Sequence, residues 1–519
     1  MHQQANKKGA LLLSHLLLGS ALWAQQKPNI ILFMVDDMGW QETSVPFHTT
    51  ETQLNHRYRT PNMEALAAKG VKFMQAYACP VSSPSRCSLM SGMNAARHRV
   101  TNWTLLYDTK TDQNNPVIET PDWNYNGIQP AGTTFDKDRK NATLITSLPE
   151  ILRQNGYLTI HCGKAHFGAR GTSGADPLKM GFDVNIAGSE IGGPGSYLSE
   201  RNFGAGSNFA IQGLDAYFGS GKFLTEVLTL EAKKALEAPI REGKPFYLYM
   251  SHYAIHTPYE EDVRFSGNYR NRTDPYFGEQ LNEMEVRHAA LVEGMDRSLG
   301  DLMQYLEDRK VAQNTIILFM SDNGGQGVGV RQGRQNFDQN YPARGGKGSA
   351  YMGGVREPMI VYWPGVTKPG SETQQRVMIE DFFPSILEMA QVKRYETAQT
   401  LDGVSFVKAL RKPGTNKERP IVWHYPNLWG ETQDKNEGYG AYSAILKGDY
   451  HLIYHWETGQ KRLYNVREDI GERNDLAASE PKLVRKLSRE LADYLKETEA
   501  QRPFFKADNR PCPYPDEVE

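Results

Sequence analysis

Two near-identical stretches, IILFMVDD at 30–37 and IILFMSDN at 316–323, each end in a pair of oxygen-bearing side chains. Asp36, Asp37, Asp322 and Asn323 thereby fall at matching positions. Three carboxylates and an amide oxygen brought together repel one another unless a hard divalent cation lies among them. The all-oxygen set favours Ca2+, and after it Mg2+, over zinc. Either pair alone also fits the cap of a helix or turn, and it is the matched placement that raises the metal reading. A second stretch, PVSSPSRCSLMSG at 80–92, crowds serines, an arginine and a cysteine beside Pro84. Pro84 suits a first helical turn, so a helix is expected from Ser85 to Ala96 with Ser82 and Ser83 at its N-terminus, where free N–H groups favour an oxyanion and Arg86 adds a planar donor fork. Basic groups follow at Lys164 and His166 in GKAHFG, His256 in HYAIHTPY and Lys347 in ARGGKGSAYMGGVREP. Lysines and histidines around an anion stabilise its charge and trade protons. An ordinary capped helix and solvated loop bases remain the plain alternatives for each of these segments taken singly.

Positioning such groups is the work of an alternating pattern. Continuous apolar runs of strand length recur at 30–35, 157–162, 246–251, 316–321 and 359–363, as in strands buried on both faces of a parallel sheet. Helical patterns lie between them. In TPNMEALAAKG, Thr60 is expected to cap, Pro61 to open the helix and Gly70 to end it; Leu291, Met295, Leu299, Leu302 and Leu306 form one apolar stripe. The expected fold is α/β, a large domain with a mostly parallel central sheet flanked by helices, whose ligands gather at the carboxyl ends of the strands. From about residue 411 the pattern changes to short strands with Gly-containing turns and one amphipathic helix, EPKLVRKLSRELADYLKETE. This predicts a small C-terminal antiparallel-sheet-and-helix subdomain over 411–519, after a main domain over 25–410.

With 519 residues, 39% hydrophobic content and a formal charge of −2, the chain can bury a large core and carries no basic run that would suit nucleic acid. Residues 1–24 read as a secretory signal: Lys7 and Lys8, an apolar stretch from Ala10 to Leu22, then Ala24. No other segment is apolar enough to span a membrane, so a soluble mature chain outside the cytoplasm is expected. Four cysteines leave a Cys79–Cys87 bridge open, and the sequons at Asn102, Asn141 and Asn271 matter only in a glycosylating host.

Taken together, these segments resemble the formylglycine-dependent sulfatases of the alkaline phosphatase superfamily. The signature stands here as Ser82, Ser83, Pro84, Ser85, Arg86, with Leu89 and Gly92 in step. NIILFMVDDMGW, TPNMEALAAKGVKF, GYLTIHCGKAHFG, SDNGG, RGGKGSAYMGGVREP, DFFPSILEMA and RLYNVREDIGERNDLA agree in order and content. Met352 departs from the pattern, since many relatives have glutamate there. The resemblance implies that Ser82 is oxidised to Cα-formylglycine by a serine-type maturase. Asp36, Asp37, Asp322 and Asn323, with the modified Ser82, would hold Ca2+, and Arg86 would hold the modified residue. Lys164, Lys347 and His256 would bind sulfate, and His166 would serve the aldehyde hydrate as base. A hydrated aldehyde is useful because one hydroxyl attacks sulfur and the other then expels sulfate, an exit that a sulfated serine lacks. The implied substrate is a sulfated saccharide met in the periplasm of a Gram-negative bacterium, such as galactose or N-acetylhexosamine units of host or dietary glycans. Tyr107, Trp123, His424 and Trp429, from two aromatic-rich polar stretches, are candidate sugar contacts. The rival readings are a phosphomonoesterase or phosphodiesterase using unmodified Ser82, and a binder of sulfated glycans that does not turn them over.

Overall fold

The computed structural model describes residues 27–326, 338–415, 418–430 and 434–518; the signal expected over 1–24 lies outside them. Eight strands form the central sheet in the spatial order Ser371–Met378, Val71–Tyr77, Arg356–Tyr362, Thr315–Ser321, Asn29–Val35, Phe246–Ser251, Leu158–Gly163, Val184–Ile186. Only Arg356–Tyr362 runs antiparallel to its neighbours. The sheet is thus mostly parallel, as the continuous apolar runs require. The two near-repeats lie side by side in register, Ile30 beside Ile316 through Val35 beside Ser321, and every residue of both strands is buried. From Ile30 and Ile316 to Met34 and Met320 identical side chains fill the same layers on both faces, and the acidic pairs that follow must leave the sheet at one height.

Helices Leu224–Glu242 and Glu283–Asp308 pack on each other, and the second buries the expected stripe of Leu291, Met295, Leu299, Leu302 and Leu306. Helix Pro61–Lys69 starts at Pro61 and stops at Gly70 as the sequence suggests, but Thr60 does not cap it. The Thr60 hydroxyl bonds with Thr43 and Ser44, and the free N–H groups of Asn62 and Met63 donate instead to the buried Asp296 carboxylate. A carboxylate accepts both more strongly than a hydroxyl could. The signature helix spans Ser82–Ser91 and does not continue to Ala96. Gly92, at φ 68°, ends it in the left-handed region, and a separate turn Ala95–His98 follows.

The C-terminal part is a four-stranded antiparallel sheet, Ile421–Tyr425, Tyr442–Lys447, Tyr450–His455 and Lys461–Asn465 in sequential order. Helix Pro481–Glu497 covers it with Val484, Leu487, Leu491 and Leu495. Its other side joins the main core: the Trp423 ring sits edge-on to Tyr77 at 5.5 Å and its indole N–H donates to Ala78 O at 2.9 Å. All four cysteines are free and buried, so the Cys79–Cys87 bridge left open by the sequence is not formed. No helix of the described residues is long and apolar enough to cross a membrane.

Candidate active site

Because the twin strands end in register, Asp36, Asp37, Asp322 and Asn323 converge just beyond the sheet, all of them buried. One oxygen from each of Asp36, Asp37 and Asp322 lies within 4.8 Å of the others, the spacing that a cation with oxygen ligands needs. Ser82, the first residue of its helix, points its Oγ into this group, 3.2 Å from Asp36 Oδ1 and 3.0 Å from Asn323 Oδ1. Lys164 Nζ donates to Ser82 Oγ at 3.0 Å and to Asp36 Oδ2 at 2.7 Å. Lys347 Nζ lies 2.8 Å from Asp37 Oδ1, and His256 Nε2 is 3.7 Å from Asp37 Oδ2. Arg86 is fully buried one helical turn on from Ser82. Its Nε donates to Asp322 Oδ2 at 2.9 Å and its Nη1 to Lys164 O at 3.1 Å, tying the helix to both sides of the site.

The charges sort themselves by neighbour. Burial, reinforced by Asp322, pushes the Asp36 carboxyl up to about 8 against the pull of Lys164. Burial acts on Asp37 in the same sense, but Lys347, His256 and Lys164 outweigh it and hold Asp37 well below the usual carboxylate range. For Asp322 likewise, Arg86 and Lys164 overcome burial and lower it. Burial takes Lys164 down to about 8, whereas at Lys347 the carboxylates of Asp37 and Asp36 prevail over burial and raise it. Both histidines stay neutral: burial, with Lys347 nearby, brings His256 down to about 4, and burial with Lys164 holds His166 well below its ordinary value. His166 Nε2 lies 2.8 Å from the Thr104 carbonyl, so it carries the proton, and Nδ1 is left as an acceptor with no partner among the described residues. Asp37 and His166 have φ of 61° and 58°, a left-handed backbone that non-glycine residues adopt at a cost and that is concentrated at functional sites.

Above Ser82 opens a cavity of about 610 Å³, lined by His166, His256 and Lys347 at its base and by Trp103, Gln113, Phe209 and Trp429 higher up. Of the candidate sugar contacts, Trp429 lines it. Trp123 does not: it is fully buried, and its indole N–H donates to Asp112 at 2.6 Å. His424 is buried as well, its ring held by Ser443 Oγ at 2.7 Å and Gln501 O at 2.8 Å within the C-terminal sheet. Tyr107 is exposed but outside the cavity lining. Cys87 is turned into the core, and burial pushes its thiol far up, which removes it as a nucleophile.

The sulfatase family's sequence profile matches residues 28–392, and that of the N-sulphoglucosamine sulphohydrolase C-terminal region matches 346–501. The chain belongs to the sulfatase family. A Formosa agariphila protein described as a sulfatase is 28% identical over 561 residues, covering 97% of this chain and 96% of its own. N-acetylgalactosamine-6-sulfatase of Sus scrofa is 30% identical over 423 residues, covering 78% of this chain and 70% of its own. The crystal structure of Ps i-CgsB with k-i-k-neocarrahexaose matches with a TM-score of 0.68 at 24% identity over 91% of this chain and 94% of that one, which shows that the two share a fold. This sulfatase is therefore a sulfuric ester hydrolase.

Sequence reasoning missed the segment that holds the two histidines of the sulfatase site. A Cβ at Gly192 would stand 2.7 Å from His166 Cε1, and one at Gly193 would stand 2.7 Å from His256 Cε1 and Nδ1. The glycines let this backbone wall lie directly against both rings. Paired glycines in a Gly-rich loop, SEIGGPGS, were the available signal, but without the fold they have no addressee.

Proposed function

We propose that this sulfatase removes O-sulfate from saccharides through a Cα-formylglycine made from Ser82 and a single Ca2+, in the periplasm, after maturation by a serine-specific oxidising enzyme. One observation carries the reading. Ser82 Oγ sits at the floor of the large cavity, among the oxygens of Asp36 and Asn323 and the ammonium of Lys164. The donor set suits the ion: Asp36, Asp37, Asp322 and Asn323 offer oxygen only, and Ca2+ tolerates such carboxylate-rich sets better than Mg2+, which keeps its waters. Three carboxylates are matched by Lys164, Lys347 and Arg86, so a dication enters most favourably together with an anionic ester.

When bound, the ion supplies positive charge at the sulfate oxygens. The formylglycine hydrate would supply the attacking hydroxyl and, on the same carbon, a second hydroxyl whose deprotonation reforms the aldehyde and expels sulfate by breaking the carbon bond to the sulfated oxygen. The chain's own groups do the rest. Lys164 and Lys347 place two buried ammonium groups where charge grows on sulfate, and preorganised donors in such a dry site are worth several kcal/mol, about 3 each. His166 accepts a proton at its unpartnered Nδ1 while Thr104 fixes the tautomer. Lys347 is the charged donor available to the leaving alcohol in the free enzyme, and a bound sulfate beside His256 raises its proton affinity so that it can share that role. Arg86 pins Asp322 and the Lys164 carbonyl, which keeps the first helical turn on the ligand set.

The saccharide assignment draws on the aromatic and amide rim of Trp103, Phe209, Trp429 and Gln113, on the relative named N-acetylgalactosamine-6-sulfatase and on the structural neighbour solved in complex with k-i-k-neocarrahexaose. Among the described residues one acidic group has ion-holding geometry, which favours this reading over a two-ion phosphatase. The test is peptide mass spectrometry of the Ser82 segment in protein from its native host, paired with sulfate release from monosaccharides sulfated at single positions. A residue lighter by two hydrogens and turnover of a galactose or N-acetylhexosamine sulfate are expected. An unmodified serine, or phosphate esters preferred over every sulfate ester, would overturn the proposal.

A further inference from the structure

Two distant parts of the chain, the segment 102–123 and the loop 427–430, contribute Trp103, Gln113 and Trp429 to the cavity rim, and one carboxylate joins them. Asp112 Oδ1 accepts the amide N–H of Asn102 at 3.1 Å and of Asn427 at 2.8 Å; Oδ2 accepts the Thr120 hydroxyl at 3.1 Å and the Trp123 indole N–H at 2.6 Å. All four donors are buried. The residues beside these anchors line the cavity. Trp103 follows Asn102, Thr111 and Gln113 flank Asp112, and Trp429 lies two positions after Asn427. Cross-links complete the frame: Gln113 N–H donates to Leu428 O at 3.1 Å, Thr111 Oγ1 to Trp103 O at 2.6 Å, and Gln113 Nε2 lies so close over Gly430 that a Cβ there would meet it at 2.9 Å.

We infer that Asp112 is a positioning residue for saccharide recognition, holding Trp103, Gln113 and Trp429 in one arrangement that receives the sugar ring bearing the sulfate. Four charge-assisted hydrogen bonds to buried donors are more than a rim loop needs in order to be covered, and each strut ends beside a cavity-lining side chain. A ring with apolar faces and equatorial hydroxyls suits two indoles and a primary amide. None of Lys164, Lys347, His166 or His256 bonds to Asp112 or its four donors; the frame meets these groups at its cavity end, where Lys347 Nζ lies 5.8 Å from the centroid of the Trp429 ring and His166 Nε2 is 2.8 Å from the Thr104 carbonyl. The inference rests on the saccharide reading above and assigns the residues that carry it.

The experiment compares Asp112→Asn, Trp123→Phe and Gln113→Ala in the mature, oxidised enzyme. Each is assayed on a sulfated monosaccharide that the wild type turns over and on 4-nitrophenyl sulfate, whose leaving group is a small aryl ring. Asp112→Asn is expected to raise KM for the sugar sulfate about tenfold, with kcat and the aryl sulfate kinetics within about twofold. Trp123→Phe, which removes one donor and keeps the packing, should shift KM in the same direction by less. Gln113→Ala, on the exposed rim, should raise the sugar KM without changing thermal stability. Unchanged sugar KM in Asp112→Asn and Gln113→Ala overturns the inference, as does an equal loss on both substrates. A wild type that turns over the aryl sulfate and no sugar sulfate refutes the saccharide reading itself, a separate outcome.

Discussion

Lys164 and Lys347 are each in contact with one carboxylate, Asp36 at 2.7 Å and Asp37 at 2.8 Å. Removing either leaves a buried acid unpaired and deletes a donor to the sulfate. Lys164→Ala should lower kcat about 10²- to 10³-fold, read as sulfate release; a loss under threefold would rule out its role. His166→Ala should cost about 10²- to 10⁴-fold if Nδ1 is the base, and intact turnover would exclude it. Calcium has a readout of its own. Chelation should lower the melting temperature, and Ca2+ at about a hundred times its Kd should restore about 2.7 kcal/mol. A melt indifferent to chelator would show that the oxygen set holds no ion. Ser82 was selectable from sequence over Cys87 because signature spacing singles it out. That Cys87 is inert is a matter of burial, which spacing does not report.

At the scale of elements, the decisive feature is the pairing of the twin strands. Their likeness was visible in the chain, and their adjacency gives the ligand set its geometry: Asp36 and Asp37 face Asp322 and Asn323 only because Ile30 lies beside Ile316. The difference between Val35 and Ser321 at their ends is used as well, since Ser321 Oγ accepts Met38 N–H at 3.0 Å and donates to Asn323 O at 3.0 Å, fixing both exits. The segment Gly192–Gly193 is the second such element. Gly193→Ala would place a methyl 2.7 Å from the His256 ring and displace it. A misplacement of this size should lower kcat about 10- to 100-fold with thermal stability nearly unchanged; normal kcat would show that the wall yields freely. Trp123 and His424 were misjudged for one reason. An aromatic residue in a polar stretch reads as an exposed contact, yet each is itself buried and has a polar ring atom that found a partner, Asp112 for one and Ser443 with Gln501 for the other.

For the molecule as a whole, acid stability is set by histidines folded in the neutral form. Burial brings His98, His161, His252 and His288 from an ordinary 6.5 down to about 3, and His424 and His455 to about 4. With folded values below unfolded ones, the unfolded chain binds the extra protons, so stability is full above pH 6.5 and is lost as pH falls toward 3–4. Each such group contributes up to about 1.4 kcal/mol per pH unit in that window. The urea midpoint should therefore drop clearly between pH 7 and pH 5, and an equal midpoint at the two values would mean that these rings are hydrated in the fold. The two sheets also act together at this scale, because the C-terminal sheet lends Trp429 to a cavity whose floor belongs to the main domain.

The sequence by itself determined the alternation of buried strands and helices, the twin acidic ends and the family, and it singled out the serine proposed as reactive, since each is written in local order and spacing. The tertiary structure decided what distant segments share: which carboxylate each lysine neutralises, which histidine nitrogen is free, and which aromatics face the cavity rather than the core. Those outcomes depend on contacts between residues hundreds of positions apart, such as Lys347 with Asp37 or Asn427 with Asp112, and on competition for buried hydrogen-bond partners that no one-dimensional pattern encodes.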